Sequence, residues 1–463
     1  MPVTEVLPNT HHTMRLAEFA SELTFSDIPR AAVDHAKRCI RDALACGLFG
    51  STLDWTKRLT ATMEDVGGPG SATLWGTGKR LSADAAALIN GTAVHSFELD
   101  DLHKTAIMHP GGVTLPPLLA LAENGVDASG QDVITALVAG YEIGIRVGLA
   151  VGVGLLHRGW HNNGVLGTFS SAAGSGRLLG LTAKQMHDAI GTAASQAGGL
   201  MAAQYGSMVK RFHAGRAAQS GLYSAALASN GFTGISDVFE DRYGMFLPTF
   251  ADSYRAELLT SGLGTTWEIE NVGFKCYPAC GSSHTSIDAA IALRDRHKID
   301  PERIRSCVIS TSTATKDHVG WPYVPSTITT AQMNLSFAVA AAFLRGNVTV
   351  ADFAPEEISN PALVDLASRV LIEADRRTDE RGPRFRHAIS MRVELDDGKV
   401  LKAQRDHAKG SEYFPLSDAE LEEKFQQLAS AALPADGVAE LEQVIQRLDD
   451  VGNVGELTAI LRR

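Results

Sequence analysis

Apolar residues recur at the helical period of about 3.6 through most of residues 13 to 265. From Ile28, the positions Val33, Ala36, Ile40, Ala43 and Leu44 keep that period, with Ser26 and Asp27 as candidate starting residues. Further helices are predicted over Ala83–Phe97, Leu115–Ala122, Val133–Ala150, Gly164–Leu179, Ala183–Ala203 and Ala214–Asn230. Thr182 suits the start of the Ala183 helix, and Gly231 suits a left-handed terminus after Asn230. The texture changes after about residue 268. Arg305–Ser312 is short and β-branched, as a strand should be, and Ile389–Leu395 with Lys399–Ala403 flank a Gly398-containing turn, a hairpin pattern. Helical stretches at Ser283–His297 and Thr330–Leu344 accompany these strands, and Ser417 with Glu420 forms a capping box that opens a helical C-terminus. The pattern predicts a mainly α fold. A large all-helical domain (residues 1–268, returning over 406–463) carries an inserted smaller α+β lid domain over 269–405, with no internal repeat.

At 463 residues the chain exceeds one ordinary core, which agrees with two domains. Its glycines occur in small-residue runs such as Ser170–Gly176, which favour close helix packing over flexible linkers. A formal charge of −11 leaves no basic surface for nucleic acid, so an anionic ligand has to be met by locally concentrated positive charge. Five cysteines, an odd number, fit reduced thiols in a cytoplasmic-type compartment rather than a disulfide framework. Cys276 and Cys280 lack a second ligand pair, so no structural zinc site is expected. Met1–Phe19 lacks the apolar stretch of a signal peptide, and no run of about 18 uninterrupted apolar residues suggests a membrane span.

The densest chemistry lies between two apolar helices, in Glu98-Leu-Asp-Asp-Leu-His-Lys-Thr-Ala-Ile-Met-His-Pro-Gly-Gly112. Ionisable groups there must face water or line a cavity, because burying unpaired charge is costly. His109 can move a proton near neutral pH, and Asp100 or Asp101 can fix its tautomer; the alternative is that these acids cap the flanking helices. His103 and Lys104 are expected to face solvent. His161 stands just before a small-residue helix, at a helix N-terminus that favours an anion, or else as a structural histidine. Lys210-Arg-Phe-His213 with Arg216 is the strongest local positive cluster, either a carboxylate clamp or a basic surface turn. Lys275-Cys-Tyr-Pro-Ala-Cys-Gly-Ser-Ser-His284 spans the proposed junction between domains, where small-molecule sites commonly form. Lys275 can bind an anion there, whereas no nearby pattern supports a reactive thiol at Cys276 or Cys280.

The signatures of dinucleotide binding, phosphate-loop NTP hydrolysis, zinc hydrolysis and the serine nucleophile elbow are missing. Taken in order, several segments resemble the MmgE/PrpD family, whose activities include 2-methylcitrate dehydration, cis-aconitate decarboxylation and iminodisuccinate epimerisation. They are Asn90-Gly-Thr-Ala-Val-His95, Glu98-Leu-Asp-Asp101 with His109-Pro110, Gly159-Trp-His161, Lys210-Arg-Phe-His213 with Gly215, Lys275-Cys-Tyr-Pro278, Ser310-Thr-Ser-Thr313, and Pro415-Leu-Ser417 with Lys424-Phe425. Ala203–Arg211, Glu98–Asp101 and His318-Val-Gly-Trp321 look most similar to fungal-type cis-aconitate decarboxylases.

The resemblance implies a homodimer and catalysis without a metal or organic cofactor. It implies a small carboxylic-acid substrate, with His109 in proton transfer and His161, Lys210 and Lys275 around the substrate carboxylates. On this reading the catalytic set is His109, Asp100, Asp101 and Lys210, and the substrate-binding set is Glu98, His161, Lys275, Cys280 and His284. The expected reaction is a cofactor-independent decarboxylation. A dehydratase of the 2-methylcitrate type and an epimerase using His109 and Lys210 are the alternatives. Glu98 stands where mammalian-type decarboxylases have aspartate, Cys280 stands where they have histidine, and His109-Pro-Gly-Gly112 is nearer the family's general form than the fungal loop.

Overall fold

A computed structural model describes residues 11–463, so the first part of the Met1–Phe19 reading lies outside the described residues. From His12 to Glu22 the chain is helical, with Leu16, Ala17 and Ala20 buried. The fold is mainly α. Its helical body is organised around Gly130–Val151, a helix long and apolar enough to cross a membrane (mean hydropathy 1.5 over its most apolar window), yet 94% of that window is buried inside the protein. Beyond Asp132 in its first turn, two charges lie within this helix, and each has partners. Arg146 pairs with Glu142 one turn away and donates to the Ser261 and Thr266 carbonyls at 2.6 and 2.8 Å, as a buried charge requires.

Small residues set how closely the helices approach. Ala83–Val94 crosses Val209–Ser229 at glycines, and a Cβ on Gly215 would sit 2.0 Å from the Leu88 carbonyl oxygen. Asn162–Leu178 packs between Gly130–Val151 and Val209–Ser229 in the same manner, as the Ser170–Gly176 run suggests. That crossing brings Lys210, at the start of one helix, beside the loop that follows the other.

Several boundaries differ from the sequence expectation for local reasons. Ser26 and Asp27 belong to a 3-10 turn capped by Thr24, and the helix itself opens at Arg30 behind Pro29, whose fixed φ suits a helix entry. Ala83–Phe97 stops at Val94, and Ala183–Ala203 stops at Ala194 before the Gly198-Gly199 break. Thr330–Leu344 divides into Ile328–Gln332 and Leu335–Arg345, because the Asn334 side chain accepts from Phe337 N and starts a new helix. After Ser229 the chain to residue 272 is mostly short turns rather than helix. The Thr182 and Ser417 caps, and the left-handed Gly231 (φ 84°), occur where the sequence places them.

A two-residue ribbon, β1 (Ala72–Thr73) with β2 (Arg80–Leu81), was not anticipated. The main sheet contains β3 (Ile304–Thr311), β4 (Val370–Ala374), β5 (Ile389–Leu395) and β6 (Val400–Arg405) in the order β4-β3-β5-β6. β3 runs parallel to β4 and antiparallel to β5, and β5–β6 is the expected hairpin, with Met391 opposite Ala403. Strand β4 escaped the sequence reading because only Val370 along it is fully buried, so it lacks a clean alternation. His284–His297 covers one face of β5 and β6. The C-terminal helix Asp418–Ala429 packs on Arg30–Ser51 of the helical body, where Lys424 pairs with the buried Asp42 at 2.5 Å.

Gly215→Ala is expected to lose about 1–3 kcal/mol or more in chemical denaturation, because the Leu88 carbonyl cannot move aside. A variant as stable as the parent would show that this helix crossing is looser than described.

Candidate active site

The segment from Phe97 to Met108 folds back on itself and is largely buried. Leu102 bridges to Gly273 and His103 to Met108, while Lys424 donates to the Leu99 carbonyl at 2.6 Å from behind. His103 is therefore buried, with Nε2 facing Glu268 at 3.3 Å, and Lys104 is part-buried; neither faces open solvent as expected. Two non-glycine residues in this loop, Glu98 (φ 55°) and Ile107 (φ 56°), adopt the left-handed conformation. Each costs on the order of 1–3 kcal/mol, strain that persists only where surrounding contacts hold it.

Those contacts are visible at Glu98. One carboxylate oxygen accepts from both Lys210 and Arg211, and the other accepts from Lys275 Nζ at 2.9 Å, all four side chains being buried. Lys210 and Arg211 sit in the first turn of Val209–Ser229, where the helix dipole disfavours cations, so the nearby carboxylate offsets two unfavourable placements. Burial opposes the ionisation of Glu98, but Lys210, Lys275 and Arg211 together hold its carboxyl well below the usual range. The two lysines respond in opposite directions. Burial and the adjacent Arg211 outweigh Glu98 and lower Lys210, whereas Lys275 faces both Glu98 and Asp100 and is raised despite burial. The low side of this pair is the one beside another cation, which is the order Coulomb's law requires.

Next to this knot lies a run of imidazoles: His109, His95, His161 and His213, with successive ring centroids 4.9, 5.5 and 5.1 Å apart. Asp100 accepts from His95 Nδ1 at 2.7 Å and lies 3.4 Å from His109 Nδ1. His109 Nδ1 is also 2.8 Å from the Asp101 carbonyl, which can only accept, so Nδ1 carries hydrogen and Nε2 is left as the free nitrogen. Burial brings His95 and His213 down to about 4 and His161 well below its ordinary value, so these three rings are neutral at pH 7. Asp100 is buried, yet His109, His95 and Lys275 keep it ionised. Asp101 goes the other way: burial, Asp42 and Asp100 push its carboxyl well up. Its carboxyl group accepts from Gly111 N at 3.0 Å and from Tyr141 Oη at 2.8 Å, at the start of the Gly111–Glu123 helix. The helix-cap reading thus applies to Asp101 and the imidazole-orienting reading to Asp100.

His109, His161, Lys210, Glu98 and Cys280 line one cavity, together with Ile107, Leu156, Asn162, Asn163, Met201, His318 and Met333. About 40 Å³ of it is open to the centre of a water molecule. Lys275 reaches the same charges from the junction side. His284 is not brought to this cavity. Its Nε2 lies 3.1 Å from the Ala279 carbonyl and its ring packs edge-on against Tyr277, holding the 275–284 turn. Arg216 is exposed and bonds Gln219.

Some site residues escaped the sequence reading. Arg211 was seen only as part of a basic cluster, and His95 and His318 only within motifs. Gln332 gave no signal at all, yet it accepts from Arg211 at 2.6 Å and donates to the Phe97 and Pro278 carbonyls, joining three segments. His95, Asp100 and His109 offer metal-ligand atoms within 4.8 Å of one another. Both Nδ1 atoms already serve Asp100 and the Asp101 carbonyl, so an ion held through those nitrogens would displace these bonds.

Sequence comparisons point the same way as this geometry. Residues 14–257 match the MmgE/PrpD N-terminal domain and residues 277–450 the MmgE/PrpD C-terminal domain. The chain is 35% identical to the cis-aconitate decarboxylase-like protein oryM of Aspergillus oryzae, across 100% of this chain and 99% of that protein. It is 32% identical to the cis-aconitate decarboxylase of Aspergillus terreus, covering 97% of this chain and 95% of the relative. It is 30% identical to the human cis-aconitate decarboxylase, over 93% and 90% respectively.

Replacing Glu98 with Gln leaves three buried cations short of a counter-charge. The expected loss is about 3–5 kcal/mol in chemical denaturation. Added citrate should restore more stability to this variant than to the parent, since it supplies the missing carboxylate. Equal stabilisation of both would argue against an anion site at these cations.

Proposed function

The chain belongs to the MmgE/PrpD family, and from that premise we propose that it is a cofactor-independent lyase acting on a small di- or tricarboxylic acid, with cis-aconitate decarboxylation as the primary reading. The observation that carries the proposal is the convergence of Lys210, His161 and His109 on one cavity, with Lys275 bound to the same Glu98 carboxylate. Around Glu98 and Asp100, three buried cations face two carboxylates, an excess suited to an anionic ligand.

In this mechanism Lys210, Lys275 and His161 hold substrate carboxylates. As carbon dioxide leaves, the electron pair of the breaking carbon–carbon bond shifts into the unsaturated framework, and His109, carrying a second proton on Nε2 in this step, delivers that proton to carbon. The lysines stabilise the enolate-like charge that develops, while Asp100 and the Asp101 carbonyl keep the His109 ring in its donor orientation. A dehydratase is the second reading, with His109 assisting departure of hydroxide from the same bound acid. An epimerase needs two opposed acid–base groups, for which Lys210, lowered by burial and Arg211, is the candidate partner. We further propose that the α+β unit, residues 269–405, acts as a lid, since it contributes His318 to the cavity lining. The same reading places the enzyme in the cytoplasm as a homodimer.

A mass-spectrometric screen with citrate, 2-methylcitrate, cis-aconitate, trans-aconitate and iminodisuccinate tests the assignment. Release of carbon dioxide from cis-aconitate is the expected result; solvent deuterium entering an acid of unchanged carbon skeleton would favour the epimerase. His109→Ala should lower kcat by about 10²–10⁴ with an unaltered circular dichroism spectrum, and full activity would remove its proton-transfer role. Lys210→Ala should raise KM, and an unchanged KM would remove it from the carboxylate clamp.

A further inference from the structure

One group in the cavity takes no part in the mechanism above. Cys280 precedes the 3-10 turn Gly281–Ser283, and its backbone is fixed by a 2.9 Å bond to the Gln332 carbonyl. Its sulfur lines the cavity and lies 4.0 Å from His318 Nδ1. His318 comes from the Thr313–Val319 helix of the α+β unit, and Ser282 Oγ, 3.3 Å from the same Nδ1 and 3.2 Å from His387 Nε2, fixes the ring. We propose that Cys280, held against His318, is a reactive thiolate and the site at which small peroxides modify this protein.

Four observations converge on this sulfur. It is in a cavity that admits a molecule of water size, so a small oxidant has room beside it. Its surroundings are cationic. Lys275 from the junction, Lys210 from Val209–Ser229 and Arg386 from the α+β unit all act on it, against the single carboxylate of Glu98. Burial opposes ionisation of Cys280, yet His318 and Lys275 bring the thiol down to about 6. The other four thiols behave oppositely: burial pushes Cys39 and Cys46 well up, and Cys276 and Cys307 to about 12. At pH 7 the thiolate fraction of Cys280 exceeds that of Cys276 or Cys307 by about 10⁵. The weaker nucleophilicity of a low-pKa thiolate takes back about 10³ of this, leaving roughly a hundredfold selectivity.

The chemistry is a two-electron oxidation. The thiolate sulfur attacks one oxygen of hydrogen peroxide, a sulfur–oxygen bond forms as the oxygen–oxygen bond breaks, and the departing hydroxide takes a proton from solvent to become water. Sulfur ends as sulfenic acid, the first and reversible step of cysteine oxidation. Because Cys280 shares its cavity with Lys210 and His161, a bound carboxylic acid would shield it. That shielding rests on the substrate reading above; the reactivity does not.

Treatment of the full chain with hydrogen peroxide in the presence of dimedone, followed by peptide mass mapping across pH 5 to 9, tests the inference. The adduct is expected on Cys280 ahead of the other four cysteines, by roughly a hundredfold over Cys276 and Cys307 at pH 7, with a midpoint near pH 6. In His318→Gln the midpoint should move up, and Cys280→Ser should give no fast adduct. Labelling spread evenly over the five thiols, or a profile unmoved by His318→Gln, would overturn the proposal. Slower labelling in the presence of cis-aconitate places the thiolate inside the substrate site, and undiminished labelling at saturating substrate overturns that placement. If no acid in the screen is turned over, the lyase reading fails while the mass readout still decides the thiolate.

Discussion

One carboxylate, that of Glu98, touches three buried cations drawn from two distant parts of the chain: Lys210 with Arg211, and Lys275. An unpaired ammonium or guanidinium in the interior either loses its proton or pulls the wall open to water. The left-handed backbone at Glu98 is part of the same constraint, since it turns the side chain inward between the two cationic segments.

Packing prepares this electrostatic knot. Gly215 lets Val209–Ser229 approach the helix that ends at Val94, and the approach sets the distance from Lys210 to the loop. Gln332 then bridges Arg211 to the Phe97 and Pro278 carbonyls, so three remote segments are tied together by hydrogen bonds beside the cavity.

Histidine protonation follows from the same burial. With His95, His161 and His213 held neutral, these three rings add no positive charge beside the lysines and are free to pass hydrogen bonds instead of repelling one another. Asp100 and Asp101 are neighbours in sequence yet opposite in state. One is surrounded by imidazoles and Lys275, the other by further carboxylates and a tyrosine. Adjacent residues of one type can therefore divide into an orienting anion and a helix cap whose carboxyl is pushed toward its protonated form.

By itself the sequence determined the elements whose signals are local. The Thr182 and Ser417 caps, the Gly231 terminus and the β5–β6 hairpin all depend on neighbours within a few residues, and each lies where the pattern puts it. It also carried the polar motifs of His109, His161, Lys210 and Lys275, because ionisable residues set in apolar sequence stand out. Tertiary structure alone decided which of these groups meet. His284 belongs to the same short motif as Lys275 but turns to a carbonyl, and Gln332 and His318 reach the site from remote segments. It also decided charge state, since the same aspartate or cysteine side chain moves up or down according to the partners that long-range folding sets around it, and no local pattern encodes those partners.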